Sequence, residues 1–242
     1  TTDDRYGIVL PVEKTAYTLF NWWPFMWMDD ADIYDADGNV TAGKDSMADA
    51  LDFWGSFYQN EYCPSSLQNG PWSIDNVANG VAAMQIGGTY MINAAEEYNK
   101  DGHNIGVVPL PSPKGKDPVT VAGGQMMAVK LYHHFQSKDV DAAADFIFWC
   151  FGSDDTTYVT KWCTEAKFAY PARQSVIEEN KELFQEGMKA IFTEFYDTAR
   201  PEPQYSSEVT DIMGDTLQSV MFGGSSGADA AQLAQEQIEA LN

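Results

Sequence analysis

The run FNWWPFMWMDD, residues 20–30, limits what this chain can fold into more than any other feature. Three of its seven tryptophans, Trp22, Trp23 and Trp27, stand within six residues, beside Phe20 and Phe25. Rings of this size need either a large apolar core or a flat apolar ligand. A chain of 242 residues that is 44% hydrophobic can supply the core, in one large domain or two small ones. Pro24 and the crowding argue against one regular element that buries every ring. For Trp22 and Trp23, core and ligand contact both stay open, whereas Trp27 leads into the next turn and reads as core.

Charge narrows the partners. With 14 basic and 36 acidic residues, the formal charge is −22. Such a surface repels nucleic-acid phosphates and anionic lipid, so neither is an expected partner. An aromatic content of 13% argues against disorder. No run of about 20 apolar residues is present to span a membrane. The opening TTDDRYGIVLP reads as the middle of a fold, from which a leader was removed or a longer N-terminal part is missing.

Short strands alternate with amphipathic helices, an α/β pattern. Strands are expected at YGIVL (6–10), AAMQI (82–86), NIGVVPLPSP (104–113) and TVAGGQMMAVK (120–130). The glycine pair Gly123-Gly124 inside the last marks a bulge or a close approach to the backbone. Asp37-Gly38 suits a tight turn between two short strands. The same D-x-D-G lacks the spacing of a calcium loop, since Ile33 and Lys44 stand where carboxylates are needed. Ser46 with Asp49, and Ser175 with Glu178, have the spacing of capping boxes; the second pair heads a long helix toward Tyr196. A helix from Asp139 is expected to bury Val140, Ala143, Ala144, Ile147, Cys150 and Phe151, with a second from about Asp154 to Thr164. ARPEPQYSSE is a proline-rich connector, followed by a helix with Val209, Ile212, Met213, Leu217 and Val220 on one face. The last helix, over 228–241, carries Leu233, Ile238 and Leu241.

Catalytic signatures are missing. There is no G-x-S-x-G elbow, no phosphate loop and no dinucleotide turn. His133 and His134 are adjacent and point apart, His103 is alone, and no Cys/His cluster has metal spacing, so no metal or cofactor is expected. Cys63, Cys150 and Cys163 form no disulfide framework, although Cys150 and Cys163 would bridge if their helices are neighbours. A hydrolase with paired carboxylates is the minority reading. What remains is binding chemistry: aromatic rings stack on the C–H faces of sugars while polar groups bond the hydroxyl rim. The run beside Asn21, Asp29 and Asp30 has both ingredients.

Several segments, in order, resemble the family-1 extracellular solute-binding proteins of bacterial ABC importers, the group that includes maltose-binding protein. They are DIYDADGNVTAGKDSMADALDFWGSFYQ, NGVAAMQIGGTYMI, IGVVPLPSPKG, AGGQMMAVK with DAAADFIFWCFGSDD, AYPARQS and ARPEPQYSSE. The resemblance covers residues 6 to 242 and implies a periplasmic-binding-protein-like (type II) α/β fold of two lobes joined by crossing strands. The first part of the N-terminal lobe has no counterpart. Residues 1–117 and 175–242 would then build the C-terminal lobe, and 118–174 a piece of the N-terminal lobe.

The resemblance also implies roles. Phe20, Trp22 and Trp23 align with sugar-stacking positions. Tyr90 stands where relatives carry a tryptophan. Gly123-Gly124-Gln125 replaces a G-G-W, so that the Gly124 backbone and the Gln125 amide would meet hydroxyls. Asn21 and Arg200 would bond hydroxyls as well, while Glu208 and Val209 stand near a position that is aromatic in maltose-binding protein. Asp29 and Asp30 take the place of a glycine pair and read as turn residues. The implied protein is a monomeric, non-enzymatic sugar receptor, periplasmic or lipid-anchored at the cell surface, that delivers an oligo- or disaccharide to a membrane permease. A receptor of the same fold for a polyamine or a peptide is the alternative.

Overall fold

The computed structural model describes residues 5–124, 127–129, 137–166 and 168–241. In chain order the elements are β1 (Tyr6–Val9), α1 (Ala16–Met28), α2 (Asp45–Gln59), α3 (Asp75–Ala78), β2 (Ala82–Gln85), α4 (Ile92–Lys100), β3 (Thr120–Ala122) and α5 (Ser137–Ile147). After them come α6 (Thr157–Lys161), α7 (Gln174–Glu179), α8 (Lys189–Phe195), β4 (Ala199–Pro201), α9 (Ser207–Met221) and α10 (Gly227–Glu239). Two parallel pairs form: β1 with β2, Ile8 opposite Met84, and β3 with β4, Val121 opposite Arg200. The second pair joins residues almost eighty positions apart and lies against α1.

The aromatic run is one helix. Every residue from Asn21 to Met28 is buried, Pro24 included. This corrects the expectation of no regular element for the run, although one ring, Phe20, stays half-buried. A helix apolar on all sides is buried on all sides, and α1 is enclosed by α2, α9 and the β3–β4 pair. Pro24 has no N–H to donate to the carbonyl of Phe20, which leaves that turn without one ladder bond at the place where the strands approach. The indole N–H groups of Trp22, Trp23, Trp27 and Trp54 are buried without hydrogen-bond partners among the described residues, so ring contact rather than polar bonding holds this core.

Small residues let the other helices close on it. A Cβ on Gly55 would stand 2.8 Å from the carbonyl oxygen of Val220, so only glycine lets α2 and α9 approach this far. Tyr58 donates to the carbonyl of Pro11 at 2.6 Å, and Gln59 to that of Val220 at 2.8 Å. α9 and α10 are capped by Ser206 and Ser226, whose hydroxyls accept from the N–H of Val209 and Asp229. α10 packs through Ala230, Ala231, Ala234 and Ile238, while Leu233 and Leu241 face outward.

Several expected details differ. α2 begins at Asp45, so Ser46 falls inside the first turn, and the N–H groups of Met47 and Ala48 go to the carbonyl of Lys44 instead of a side-chain cap. The segment 104–113 pairs with no strand among the described residues. Pro109, Pro111 and Pro113 alternate along its second half and remove three donors from one edge, while the Ile105 N–H goes to the Asn99 side chain. The long helix toward Tyr196 is broken after Glu179 and again at Gly187 (φ 50°), and Ser175 caps nothing. On α5 the expected buried face is only half-buried, and Phe146, Phe148 and Trp149 are exposed. Cys63, Cys150 and Cys163 are all free thiols. Tyr34 and Val40 form the single bridge of the expected hairpin. Asp35 closes its turn by accepting from the N–H of Asp37 and Asn39; its hydrogen bonds from Asn39, above all, hold its carboxyl below the usual range.

Candidate ligand-binding site

Tyr17, Phe20 and Asn21 share one face of α1 at helical spacing. Asn21 is buried and donates its amide to the carbonyl of Tyr17 at 2.7 Å, one turn back. The Tyr17 hydroxyl meets that of Tyr90 at 2.6 Å. The Tyr17 ring also stands edge-on to Trp72, with centroids 6.0 Å apart. Trp72 is 58% exposed and folds back over Gly70. Burial raises the phenol of Tyr17, and burial with the neighbouring Tyr17 raises that of Tyr90. Both therefore stay neutral and serve as donors and acceptors.

At the other side of Phe20 the strand pair arrives. A Cβ on Gly123 would lie 2.5 Å from the ring of Phe20, so the strand reaches this ring only because position 123 is glycine. Gly124 is exposed and open, with nothing within 4 Å of the place a Cβ would take. Behind Phe20 (centroids 5.8 Å) sits Trp23, then Trp27 at 6.4 Å, nearly parallel. The Arg200 guanidinium covers Trp27 at 4.4 Å and pairs with Asp32 at 3.1 Å. Asp32 also accepts from the Tyr205 hydroxyl at 2.9 Å. Burial, with the Asp32 charge, raises the Tyr205 phenol. Arg200 thus fastens β4 to the turn after α1.

The residues named from sequence therefore separate. Phe20, Asn21, Tyr90 and Gly124 gather around the start of α1 and the end of β3. Trp22 has no accessible surface and is core, because it lies about 200° around the helix from Phe20. Trp23 is 5% exposed and supports Phe20 from behind. Arg200 has its charge engaged by Asp32. Gln125, like His133 and His134, lies outside the described residues. Sequence reasoning passed over Tyr17, Trp72, Glu202 and Tyr205. Tyr17 was findable as the residue one turn before Phe20; the others are brought in by segments distant in the chain.

A concavity of about 490 Å³ lies elsewhere, lined among others by Trp149, Tyr158, Lys161, Trp162 and Glu165. Its walls are outward-turned rings with one cation and one carboxylate at the edge. The α1 cluster, not this groove, combines rings with convergent hydroxyl and amide groups, and we place the candidate site there. No group of three His, Cys, Asp or Glu side chains able to hold a metal is found among the described residues.

A profile of the family described as bacterial extracellular solute-binding protein matches residues 9–190. The chain is 26% identical over 144 residues to a putative ABC transporter periplasmic-binding protein of Escherichia coli, YcjN, covering 59% of this chain and 31% of that one. In structure it is similar to maltose-bound MalE3 of T. maritima, with a TM-score of 0.78 at 17% identity over 98% of this chain and 61% of that one. It is also similar to Mycobacterium tuberculosis UgpB in complex with glycerophosphocholine, with a TM-score of 0.72 at 12% identity over 99% of this chain and 58% of the other. At these identities the structural likeness is one of fold.

Proposed function

The chain belongs to the family of bacterial extracellular solute-binding proteins and has part of their type II two-lobed α/β fold, and from that premise we propose that it binds a neutral sugar for an ABC importer. The observation that carries this reading is the cluster on α1. Phe20, Trp72 and the Tyr17–Tyr90 pair offer ring faces and neutral hydroxyls together, next to the open backbone of Gly124. Maltose bound to a protein of the same fold agrees with it.

In this reading β3 and β4 are the crossing strands. The residues between them go to one lobe, which takes in 175–198 as well as the segment up to 174 that the resemblance assigned there, and those before and after them go to the other. The ligand lies against α1 and is enclosed when the lobes close, and a membrane permease reads the closed state. The receptor works as a monomer outside the cytoplasm, without catalysis. Among the described residues no helix is long and apolar enough to cross a membrane.

A thermal-shift panel of sugars, amines and peptides on the complete protein tests the reading, since a bound ligand raises Tm by mass action. Stabilisation by a neutral sugar is expected. Stabilisation by amines or peptides alone would overturn the choice of ligand, and release of reducing ends from the stabilising sugar would overturn the absence of catalysis.

A further inference from the structure

The connector that carries Arg200 also carries Glu202, a residue that no sequence signal marked. Its N–H is bonded to the carbonyl of Ala122 at 2.9 Å, so the β3–β4 pairing fixes its backbone beside Gly123. A Cβ on Gly123 would meet two things at once: the Phe20 ring at 2.5 Å and the Glu202 carboxylate oxygen at 2.9 Å. The carboxylate and the ring edge therefore flank one point in space, just above the glycine.

The surrounding charges are otherwise matched. Asp32 holds Arg200, and Asp29 and Asp30 hold Lys116. Glu202 is half-buried as a residue, and its carboxylate alone in this neighbourhood has no hydrogen bond or ion pair among the described residues. A ligand that covered it would have to supply a partner, since a carboxylate drawn out of water without one is unfavourable. Its oxygens are acceptors only, so the missing group is a donor, and one that fits beside an aromatic face.

We propose that Glu202 is a specificity-determining residue of the α1 site and accepts the hydroxyls of a vicinal diol on a ligand whose C–H face lies on Phe20. Two carboxylate oxygens match two adjacent hydroxyls, and charge-assisted O–H···O bonds are stronger than neutral ones. The ring supplies the apolar half of the contact, and the lack of a side chain at 123 lets the strand bring the carboxylate beside the ring. The assignment rests on the sugar-receptor reading, and it selects among ligands: a sugar whose diol is blocked or absent at that edge is rejected, because the carboxylate is then left unpaired under it.

The test is calorimetric titration of the complete protein with maltose, maltotriose, D-tagatose, ribitol and spermidine. Wild type, Glu202→Gln and Phe20→Ala are compared. Wild type is expected to bind at least one of the four neutral compounds, and Glu202→Gln to bind it at least tenfold more weakly while the unliganded Tm stays that of wild type. Wild-type affinity in Glu202→Gln beside a loss in Phe20→Ala would overturn the role of Glu202 and leave the sugar site standing. Binding of spermidine and none of the neutral compounds, abolished in Glu202→Gln, would overturn both, with the carboxylate reading a cation. Wild-type affinity in both variants would remove the α1 face from the site.

Discussion

Two regions of this molecule treat the same kind of side chain in opposite ways. Around α1, α2, α9 and α10 most large rings are covered on the far side, with Phe53 and Phe222, each 47% exposed, as exceptions. Trp22 and Trp54 are fully buried, and Phe25 lies between Phe53 and Trp54. Between residues 137 and 198 the buried clusters are small: Phe168 and Phe184 with Ile92 of α4, and Val159, Cys163 and Val176. There, Phe148 is 68% exposed and Trp149 50% exposed. Apolar content does not separate the regions. What separates them is whether a second element, distant in sequence, covers the first. The four-helix region has close approaches at Gly55 and Gly227 that bring its helices together. Apart from the 11-residue α5, the helices of the 137–198 region end after five to seven residues, and the region packs mostly on near neighbours. Stability is expected to concentrate in the first region and to be local in the second.

The largest expected effect tests that concentration. Trp54→Ala should cost roughly 3–5 kcal/mol, the range for a fully buried large aromatic, seen as a lower urea midpoint for the whole protein; a loss under about 1 kcal/mol would mean the four-helix core is not what holds the fold. Phe184→Ala removes a ring that is equally buried, but in the smaller cluster. A local loss of about 3 kcal/mol should appear as faster amide exchange over residues 157–195, with α2, α9 and α10 still protected; loss of protection everywhere would erase the distinction between the regions. Arg200→Ala removes a half-exposed ion pair and a cation–π contact, and about 1 kcal/mol is expected. Its effect should show in exchange at β3 and β4 before it shows in Tm. Trp149→Ser should cost no more than about 1 kcal/mol, since the half-exposed ring loses only its contacts with Tyr158 and Phe146; a larger destabilisation would show that this face is covered in the protein as tested.

Some of this was readable without coordinates, and particular residues show why. The faces of α2 and α9 follow from their spacing, and Ser206 and Ser226 cap because a hydroxyl before an apolar-periodic run has an orphan N–H within reach. Cap spacing failed at Ser46, where the helix began one residue earlier, and at Ser175, where the run broke at Asn180. In the proposed site, Phe20, Asn21 and Tyr90 come from the run and the family pattern, and Tyr17 was within reach as the residue one turn before Phe20. Trp72 and Glu202 were not, because each acquires its place from a partner far along the chain: Trp72 from Tyr17, and Glu202 from Ala122.

By itself the amino-acid sequence determined the alternation of short strands with amphipathic helices and the family, and it left the aromatic run open between core and ligand contact. Those properties rest on periodicity, turn chemistry and total apolar content, which are local or additive. Only the tertiary structure decided that Pro24 sits within a continuous helix, that Trp22 is core while Phe20 remains half-open, and that a carboxylate stands beside that ring. A helical repeat states which side chains share a face. What lies against the face is set by non-local contacts, here Gly123 on Phe20 and Val220 on Gly55, and no spacing within the run encodes them.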